Sequence, residues 1–565
     1  MNYSPSARVS PKALLFQHRR QWLLGLFVLV VGTLLARAVY LQVMHTDFLQ
    51  WQGNARYLRV LPVPAHRGML LDRDGEPLAV STPIDSVWVS PAQFMTVQSE
   101  WKNLATVLGL SVKELRALLA KRQQREFVYV KRHISPTIAT QVKALNLTGV
   151  FLQREYHRYY PTGAVAAHVL GFTNIDDQGQ EGLELAFDST LAGVAGAKRV
   201  LQGKNGQIIA NVEILQLPRP GQDIRLTIHR RLQYVLHREL QAAVWAHRAQ
   251  AGSAIILDAH TGEVLALVNQ PDCNPNKREE LVNDRFRNRA VTDVFEPGST
   301  LKPFTIVTAL ESGKFTSTTR INTHPGNFQI GKYTVRDSYN YGNIDMATIM
   351  QKSSNVGASK IALSLPAGQL WRILNNLGFG QSSESGFPGE VTGKLPHFSV
   401  WHPFEQATLS FGYGLNTTML QLARAYAVLG NAGRLPPIRF VASDIQANPE
   451  EFPVVMQTDT TSQVLQMLEK VTQPGGTGEG ARISGYRVVG KTGTVHKPQA
   501  GGYSANEYLA LFVGIVPASK PRLVMAVLID EPRGSDHYGG QVAAPVFAKV
   551  MTEALRLLNI PPDSW

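Results

Sequence analysis

The feature that most constrains this chain is a long apolar stretch near its N-terminus, at residues 22–44. Residues 22–36 carry no charge, and the apolar character resumes after Arg37 and continues to Met44. A helix of this length is long enough to cross the hydrocarbon core of a bilayer, which is ~30 Å thick, with Arg37 reaching toward the interface. We therefore predict a transmembrane helix at residues 22–44.

A cleaved signal peptide is the alternative, because Ala36-Arg37-Ala38 has the small-x-small form of a cleavage site. We favour a retained anchor, since apolar residues continue beyond that position. The first 20 residues carry four basic side chains and no acidic one. Basic flanks remain in the cytoplasm, so we expect residues 1–21 to form a cytoplasmic tail. Everything after about residue 45 then lies outside the cytoplasm, in a single-pass membrane protein.

The part beyond the anchor is long enough for more than one domain, because the chain has 565 residues. Leu217-Pro218-Arg219-Pro220-Gly221 is the best linker. Strand-like pairs on both sides of a helical middle follow it, which predicts an antiparallel sheet with a helical layer and a helical lobe. We therefore expect separate α+β domains at residues 45–221 and 222–565.

The composition excludes some function classes. The formal net charge is +13 and the pI is about 9.6. The basic residues are scattered and lack interleaved aromatic residues, so we predict no nucleic-acid partner and attribute the charge to anionic lipid or wall polymer. The 15 histidines form no metal-ligand pattern, which predicts no metal site. Cys273 is the single cysteine, so no intrachain disulfide can form, and we expect an ordinary loop thiol.

A candidate nucleophile lies at the start of a predicted helix. Pro297-Gly298 forms a turn, and an apolar helical pattern follows it as far as Gly313. Ser299 is placed where this helix begins, and Lys302 follows three residues later on the same face. A buried neutral lysine can take the proton of a serine hydroxyl, and a helix N-terminus favours a developing oxyanion. Alone, such a pattern is more often an N-cap serine beside a solvated lysine.

Two further short motifs follow in the chain. Ser353-Ser354-Asn355 lies in a polar segment and offers a second hydroxyl and a carboxamide. Lys491-Thr492-Gly493-Thr494 follows a strand-like run at residues 486–490. Simple alternation along a strand puts Lys491 and Thr494 on opposite faces. Bringing both side chains into one site requires a bulge or twist, and we expect it at Gly493. Each motif alone could be a loop or a strand end, but the three in this order indicate one site.

The three motifs resemble those of penicillin-recognising serine acyltransferases: Ser299-x-x-Lys302, Ser353-x-Asn355 and Lys491-Thr492-Gly493. Residues 287–298 are similar to the class B penicillin-binding proteins, specifically to the septal, cell-division transpeptidase. Three stretches before the linker resemble the pedestal motifs of the same proteins, at residues 67–79, 154–171 and 181–184. The resemblance covers nearly the whole chain.

This resemblance implies an α+β architecture. It places a transpeptidase domain of the penicillin-binding fold, an antiparallel sheet with helical layers, at residues 222–565. An elongated α+β pedestal of the dimerisation type precedes it at residues 45–221, after the transmembrane helix. We expect the active site between the sheet and the helical lobe, with Ser299 on a helix and Lys491 on the edge strand. Charged pedestal residues are expected to hold its parts together, with direct partner contact as the alternative.

The resemblance further implies a D,D-transpeptidase that cross-links peptidoglycan stem peptides ending in D-Ala-D-Ala. Ser299 is then the nucleophile that forms the acyl-enzyme, and Lys302 is the general base. Ser353 relays a proton to the leaving amine, assisted by Lys491, which also keeps Lys302 neutral. Asn355 is expected to hydrogen-bond the substrate amide.

Substrate binding is assigned by the same resemblance. Thr492 and Thr494 are expected to bind the terminal carboxylate together with Lys491. Gly493 has no Cβ, which allows the substrate to lie against the strand. The backbone N–H groups of Ser299 and Thr494 would form the oxyanion hole. No cofactor is implied.

The implied partners are peptidoglycan stem peptides on lipid-linked precursor or nascent glycan, β-lactams, a polytopic division glycosyltransferase and other division proteins. The implied location is the bacterial inner membrane at the division site, with the catalytic domain in the periplasm. Four alternatives stay open: an elongation-specific class B transpeptidase, a β-lactamase, a β-lactam sensor and a non-catalytic division scaffold. The anchor and the pedestal weigh against the β-lactamase, and the complete motif set weighs against the scaffold.

Overall fold

The computed structural model describes residues 11–203, 208–281, 283–443, 448–499 and 501–564. The chain divides into two compact units. The first unit comprises Met1–Ala65, Ile84–Glu155 and Val194–Arg219. The second unit comprises His66–Pro83, Tyr156–Gly193 and Pro220–Trp565.

The β-strands of the described residues are, in chain order, β1 (Leu58–Val63), β2 (Leu70–Leu71), β3 (Pro77–Val89), β4 (Val128–Ile134), β5 (Val150–Tyr159), β6 (Gly196–Gln202), β7 (Ile208–Gln216), β8 (Ile224–Arg225), β9 (Ala251–Asp258), β10 (Val264–Gln270), β11 (Arg320–Asn322), β12 (Asn327–Ile330), β13 (Tyr333–Arg336), β14 (Asn343–Asp345), β15 (Val489–Gln499), β16 (Gly502–Val516) and β17 (Leu523–Asp530).

The α-helices are α1 (Pro11–Val39), α2 (Thr46–Tyr57), α3 (Pro91–Phe94), α4 (Trp101–Leu108), α5 (Val112–Ala120), α6 (Pro136–Ala144), α7 (Ala167–Leu170), α8 (Gly182–Ala186), α9 (Asp188–Leu191), α10 (Arg230–Ala246), α11 (Arg289–Thr292), α12 (Lys302–Glu311), α13 (Met346–Lys352), α14 (Asn355–Leu363), α15 (Ala367–Asn376), α16 (Pro403–Leu409), α17 (Met419–Gly430), α18 (Thr458–Thr472), α19 (Gly539–Val542) and α20 (Ala544–Leu557).

Helix α1 carries the predicted apolar segment. A π-helical turn, Tyr40–Met44, continues it, and the helical stretch His18–Met44 has a mean hydropathy of 2.2. Large apolar side chains along this stretch face outward, as at Phe27 and Leu34. An apolar helix without protein around it is suited to a lipid environment. By length and composition, this helix can cross a membrane.

The first unit contains an antiparallel three-stranded sheet, in the order β1-β6-β7. It also contains a small helical core in which α4 and α5 bury Leu104, Leu108, Leu115 and Leu119. The apolar residues of 97–146 follow a helical period, for example at Leu104, Leu108, Leu115 and Leu119, which predicts helices throughout; this is wrong for one segment. Strand β4 lies between α5 and α6 and pairs with the end of β3. Val128 and Val130 of β4 fill the same apolar core as the helices. In the sequence their apolar side chains therefore extend the helical pattern, and the strand is not recognised.

A five-stranded antiparallel sheet organises the second unit, in the order β10-β9-β17-β16-β15. The predicted hairpin is present as β9 and β10, in which Ile255 pairs with Leu267. The predicted C-terminal pair is present as β16 and β17. β15 lies at the edge of the sheet, as predicted for the strand that carries Lys491.

Helices cover both faces of this sheet, because β9 and β10 are buried at every position. On one face, α10 and α20 form an apolar core with the sheet through Leu236, Phe547 and Val550. On the other face lies α17, which is buried on almost all sides. The fold is therefore α+β, as predicted, with helices packed on both faces of the antiparallel sheet.

Candidate active site

The predicted nucleophile lies in a tight turn. Ser299 belongs to a 3-10 turn, Gly298–Leu301, that leads directly into α12. Gly298 has a φ of +53°, and a Cβ there would lie 2.4 Å from Cγ2 of Val495 on β15. Glycine is therefore required both for its backbone conformation and for the close approach to the strand. The α-helix begins at Lys302 rather than at Ser299, because its first turn is wound more tightly than the apolar pattern indicates.

Lys302 is at the centre of the site. Its side chain is fully buried, and Nζ lies 3.0 Å from Oγ of Ser299. Nζ also lies 3.1 Å from Oγ of Ser353, 2.5 Å from the Ser353 carbonyl oxygen and 2.7 Å from Oδ1 of Asn355. A neutral amine can donate two hydrogens to these acceptors and direct its lone pair at the Ser299 hydroxyl. The predicted base thus contacts the predicted nucleophile directly.

The electrostatics of the site favour a neutral Lys302. Burial, followed by the charge of Lys491, lowers the pKa of Lys302 well below its usual range, while the carboxylate of Asp337 opposes this shift. Burial also lowers the pKa of Lys491, to about 7. Burial thus favours the neutral amine at both lysines, and a general base has to be neutral before it can take a proton.

Ser353 bridges the two lysines. It lies between α13 and α14 with a φ of +59°, a left-handed conformation that non-glycine residues rarely adopt. Its Oγ is 3.1 Å from Nζ of Lys302 and 3.0 Å from Nζ of Lys491. The predicted polar segment is thus the break between two helices, and it directs the second hydroxyl between the two amines.

Asn355 begins α14 and has both ends of its amide engaged. Oδ1 accepts from Lys302, and Nδ2 donates to the carbonyl oxygen of Arg336 at 3.2 Å. Asp337 accepts hydrogen bonds from the backbone N–H groups of Asn355, at 2.5 Å, and of Val356, at 3.0 Å. Asp337 thereby fixes the start of α14. The sequence analysis did not identify Asp337, because a single aspartate in a loop 18 residues before Asn355 belongs to no motif. Its place at the N-terminus of α14, where a negative charge is favourable, is the only physical signal of its role.

Lys491 lies inside β15 rather than after a strand, and its side chain is fully buried. The strand pairs regularly with β16 from Val489 to His496, and its register shifts only between His496 and Pro498. The pairing therefore has no bulge at Gly493, and the expectation of a bulge there is wrong.

The physical reason lies in the two threonines, Thr492 and Thr494. Oγ1 of Thr492 donates to Oγ1 of Thr477 at 2.8 Å, and Oγ1 of Thr494 accepts from the N–H of Gly539 at 3.0 Å. Both side chains follow plain alternation, on the face opposite Lys491, and have partners there. The structure therefore does not bring their hydroxyls into the lysine cluster.

Gly493 faces the nucleophile segment. A Cβ at this position would lie 3.1 Å from Cγ2 of Thr300 and 3.2 Å from the carbonyl oxygen of Pro297. The absence of a side chain thus lets the strand pack against the turn that holds Ser299. In total, five predicted residues converge within hydrogen-bonding distance: Ser299, Lys302, Ser353, Asn355 and Lys491.

Cys273 lies outside this cluster, in the segment after β10. It is buried, and burial raises the pKa of its thiol to about 11, so it is not a thiolate at neutral pH. Across the described residues, no group of three or more histidine, cysteine, aspartate or glutamate side chains is arranged to hold a metal ion.

Two family models match the chain. The model of the penicillin-binding protein transpeptidase domain matches residues 252–552, which is more than half of the chain. The model of the penicillin-binding protein dimerisation domain matches residues 62–226. Ser299, Lys302, Ser353 and Lys491 all lie within the first match.

Known proteins are similar over nearly the full length. The "Probable peptidoglycan D,D-transpeptidase PenA" of Neisseria meningitidis is 41% identical, over 96% of this chain and 92% of that protein. The "Peptidoglycan D,D-transpeptidase FtsI" of Escherichia coli is 40% identical over the same shares. The solved apo TP domain of penicillin-binding protein 3 from Burkholderia pseudomallei is 41% identical with a TM-score of 0.56, and the match covers 60% of this chain and 98% of that structure.

Proposed function

The chain belongs to the penicillin-binding protein transpeptidase family, as a class B member with a dimerisation domain, and we propose that it cross-links peptidoglycan at the division septum as a D,D-transpeptidase. One observation carries the mechanism: a buried lysine, Lys302, contacts both Ser299 and Ser353, while Lys491 contacts the same Ser353 hydroxyl. This arrangement joins a nucleophile, a base and a proton relay in one hydrogen-bonded set.

Acylation follows from this set. Neutral Lys302 takes the proton of Ser299, whose Oγ attacks the carbonyl of the penultimate D-Ala of a stem peptide. Ser353 passes a proton to the departing amine as the C–N bond breaks and the terminal D-Ala leaves. Lys491, 3.0 Å from Oγ of Ser353, replaces that proton. The product is an acyl-enzyme on Ser299.

Substrate binding is assigned to the edge strand β15. The terminal carboxylate lies at the open edge of β15, where it accepts from Thr492 and Thr494 on one face of the strand and is attracted by the charge of Lys491 on the other, and Asn355 hydrogen-bonds the substrate amide. For this, the Thr492 hydroxyl has to turn its hydrogen from Thr477 to the substrate, whereas the Thr494 hydroxyl accepts from Gly539 and keeps its own hydrogen for the carboxylate. The N–H groups of Ser299 and Thr494 form the oxyanion hole, and the loss of one such donor costs ~3 kcal/mol.

An amine from a second stem peptide resolves the acyl-enzyme and forms the cross-link. β-Lactams acylate the same Ser299, because they present a strained amide where D-Ala-D-Ala presents its peptide bond. Neither step needs a cofactor, since Lys302, Ser353 and Lys491 together move the protons.

The anchor and the relatives support the location and the partners that we propose. We place the apolar segment of α1 across the bacterial inner membrane with the N-terminus in the cytoplasm, because basic residues, among them Arg19 and Arg20, precede that segment. The catalytic unit then lies in the periplasm at the division site. A polytopic glycosyltransferase supplies the glycan strands, and other division proteins bind the anchor and the pedestal region.

The decisive test is cross-linking by the full-length protein in detergent, supplied with nascent glycan strands that carry pentapeptide stems. We expect release of D-Ala together with cross-linked stem dimers, detected by mass spectrometry. Release of D-Ala without dimers, or no release even when a glycan polymerase is added, contradicts the transpeptidase assignment and favours a sensor or a scaffold. The Ser299→Ala variant is the control and should form no dimers.

A further inference from the structure

A short helix, α2, follows the apolar segment directly. The apolar segment ends at Met44, and α2 runs from Thr46 to Tyr57. Between them, His45 has a φ of −118° and a ψ of 12°, outside the helical region, and its N–H donates to the carbonyl oxygen of Tyr40 to close the π-helical turn. The helix is therefore interrupted at His45, where α2 can leave the direction of α1.

The length of the apolar segment places the start of α2 relative to a bilayer. Trp22 opens this segment and Tyr40 lies near its end. The helical rise between these two residues is about 27 Å, which matches the hydrocarbon core of a bilayer. Tryptophan and tyrosine prefer the two membrane interfaces, where the ring meets lipid and its polar atom meets water. With Trp22 at the inner interface, Tyr40 lies at the outer one, so α2 begins at the outer surface of the membrane.

Helix α2 has little protein around it. None of its described side chains is buried, and 53% of Phe48 and 66% of Trp51 are exposed. Leu49 is exposed as well. A helix of 12 residues is marginally stable in water, and short helices gain most of their stability by packing an apolar face. The rings of Phe48 and Trp51 therefore need a cover that the described residues do not provide.

The composition and the position of α2 indicate what this cover is. Three of its 12 residues are aromatic, Phe48, Trp51 and Tyr57, whereas aromatic residues make up 8% of the chain. Phe48 and Trp51 are three positions apart and share one face of the helix, while Gln50 lies on the side opposite Phe48. Aromatic rings on one side and polar groups on the other, directly after a membrane span, are typical of a helix in the headgroup region.

We propose that α2 lies in the outer interface of the membrane, with Phe48 and Trp51 inserted about 5–10 Å into the boundary between headgroups and acyl chains. The partner of this surface is the lipid bilayer itself. The proposal rests on the membrane anchor proposed above and extends it. Helix α2 holds the chain at the lipid surface for a further ~18 Å, so that β1 begins at Leu58 from the membrane surface.

Spin labels on single cysteines test this placement in the full-length protein, reconstituted into nanodiscs of phosphatidylethanolamine and phosphatidylglycerol. In a Cys273→Ser background, the label is attached at Phe48→Cys or at Gln50→Cys. Collisions with oxygen report contact with lipid, and collisions with a water-soluble nickel chelate report contact with water. Val31→Cys, within the apolar segment, is the lipid reference. Trp245→Cys, at a position that is 72% exposed on α10, is the water reference. Titration with penicillin shows that each labelled protein is folded.

We expect chelate collisions at Phe48 to be lower than those at Gln50 by about threefold or more, and oxygen collisions to be higher, because one side of α2 faces lipid and the other faces water. Chelate collisions at Phe48 that equal those at Trp245, while Val31 stays protected, overturn the proposal and leave the anchor intact. Protection of Phe48 from both reagents also overturns it, since a protein surface, such as a second copy of the chain, would then cover α2. Chelate access at Val31 contradicts the anchor itself, and the placement of α2 fails with it.

Two charge variants then compare the two sides of α2, with the label kept at Phe48→Cys. Trp51→Asp puts a charge on the side that faces lipid, where a charge is costly, so chelate collisions should rise toward those of the water reference. Gln50→Asp is the matched control, because it adds the same charge on the side that faces water, and the label should stay protected. A label that stays protected in Trp51→Asp, or that becomes equally accessible in both variants, contradicts the insertion of this face.

Discussion

At the scale of residues, two buried lysines share one serine hydroxyl and influence each other's protonation. The charge of Lys491 lowers the pKa of Lys302, and the charge of Asp337 raises it. The acylation rate depends on the neutral form of Lys302, so it rises with pH as that residue loses its proton. Any change in the surrounding charge should therefore move the acid limb of the pH–rate profile.

Replacing Lys491 by glutamine removes a positive neighbour, so the pKa of Lys302 rises. The acid limb of penicillin acylation should then move to higher pH, and the rate at neutral pH should fall about tenfold or more, because the bond to Ser353 is also altered. The measurement is the second-order acylation rate as a function of pH. A loss of rate without a shift of the limb would show that Lys491 acts only by positioning.

Replacing Asp337 by asparagine should move the same limb in the opposite direction. The variant removes a negative charge that raises the pKa of Lys302, so the limb moves to lower pH. The asparagine can still accept from the N–H groups of Asn355 and Val356, which preserves the start of α14. Acylation rates over the same pH range test this, and a shift to higher pH would contradict the charge argument.

At the scale of elements, the site depends on close packing between the nucleophile turn and β15. Sequence motifs were sufficient to predict that Ser299, Lys302, Ser353, Asn355 and Lys491 meet, because each motif carries its own chemistry. They were not sufficient to predict Asp337, whose role depends on a tertiary contact. The bulge expected at Gly493 assumed that the threonine hydroxyls face Lys491, whereas Thr477 and Gly539 provide partners for them on the opposite face.

Gly298→Ala tests this packing. The added Cβ would lie 2.4 Å from Cγ2 of Val495 at a φ of +53°, so we expect the free energy of unfolding to fall by about 2–4 kcal/mol and acylation to slow. Gly313→Ala, at the other end of α12, is the control, with a φ of +70° and nothing within 4 Å of its Cβ. It should cost about 1 kcal/mol. Equal losses in urea unfolding would show that backbone strain alone accounts for the effect.

At the scale of the whole molecule, buried charges join distant segments of the second unit. Glu184 is fully buried between two buried arginines: Oε2 contacts Arg67 at 2.7 Å, and Oε1 contacts Arg158 at 2.6 Å. This burial agrees with the sequence expectation that charged residues of this region hold its parts together. Side chains so deeply enclosed are not available for direct contact with a partner protein.

Glu184→Ala should therefore destabilise the second unit by about 3–5 kcal/mol, because two buried guanidinium groups lose their shared carboxylate. Urea unfolding of the full-length protein measures this loss. Glu553→Ala is the control, since that glutamate pairs with Arg556 on the surface of α20 and should change stability little. Similar losses in both variants would contradict a structural role for the buried cluster.

The most direct test of the central claim, a serine acyl-enzyme at Ser299, is the intact mass of the full-length protein after incubation with isotopically labelled penicillin. The account predicts one drug adduct per chain that persists, maps to the peptide containing Ser299 and is absent from the Ser299→Ala variant. An adduct that forms on the variant as well, no adduct on the wild type, or rapid turnover of the drug without a lasting adduct would contradict it.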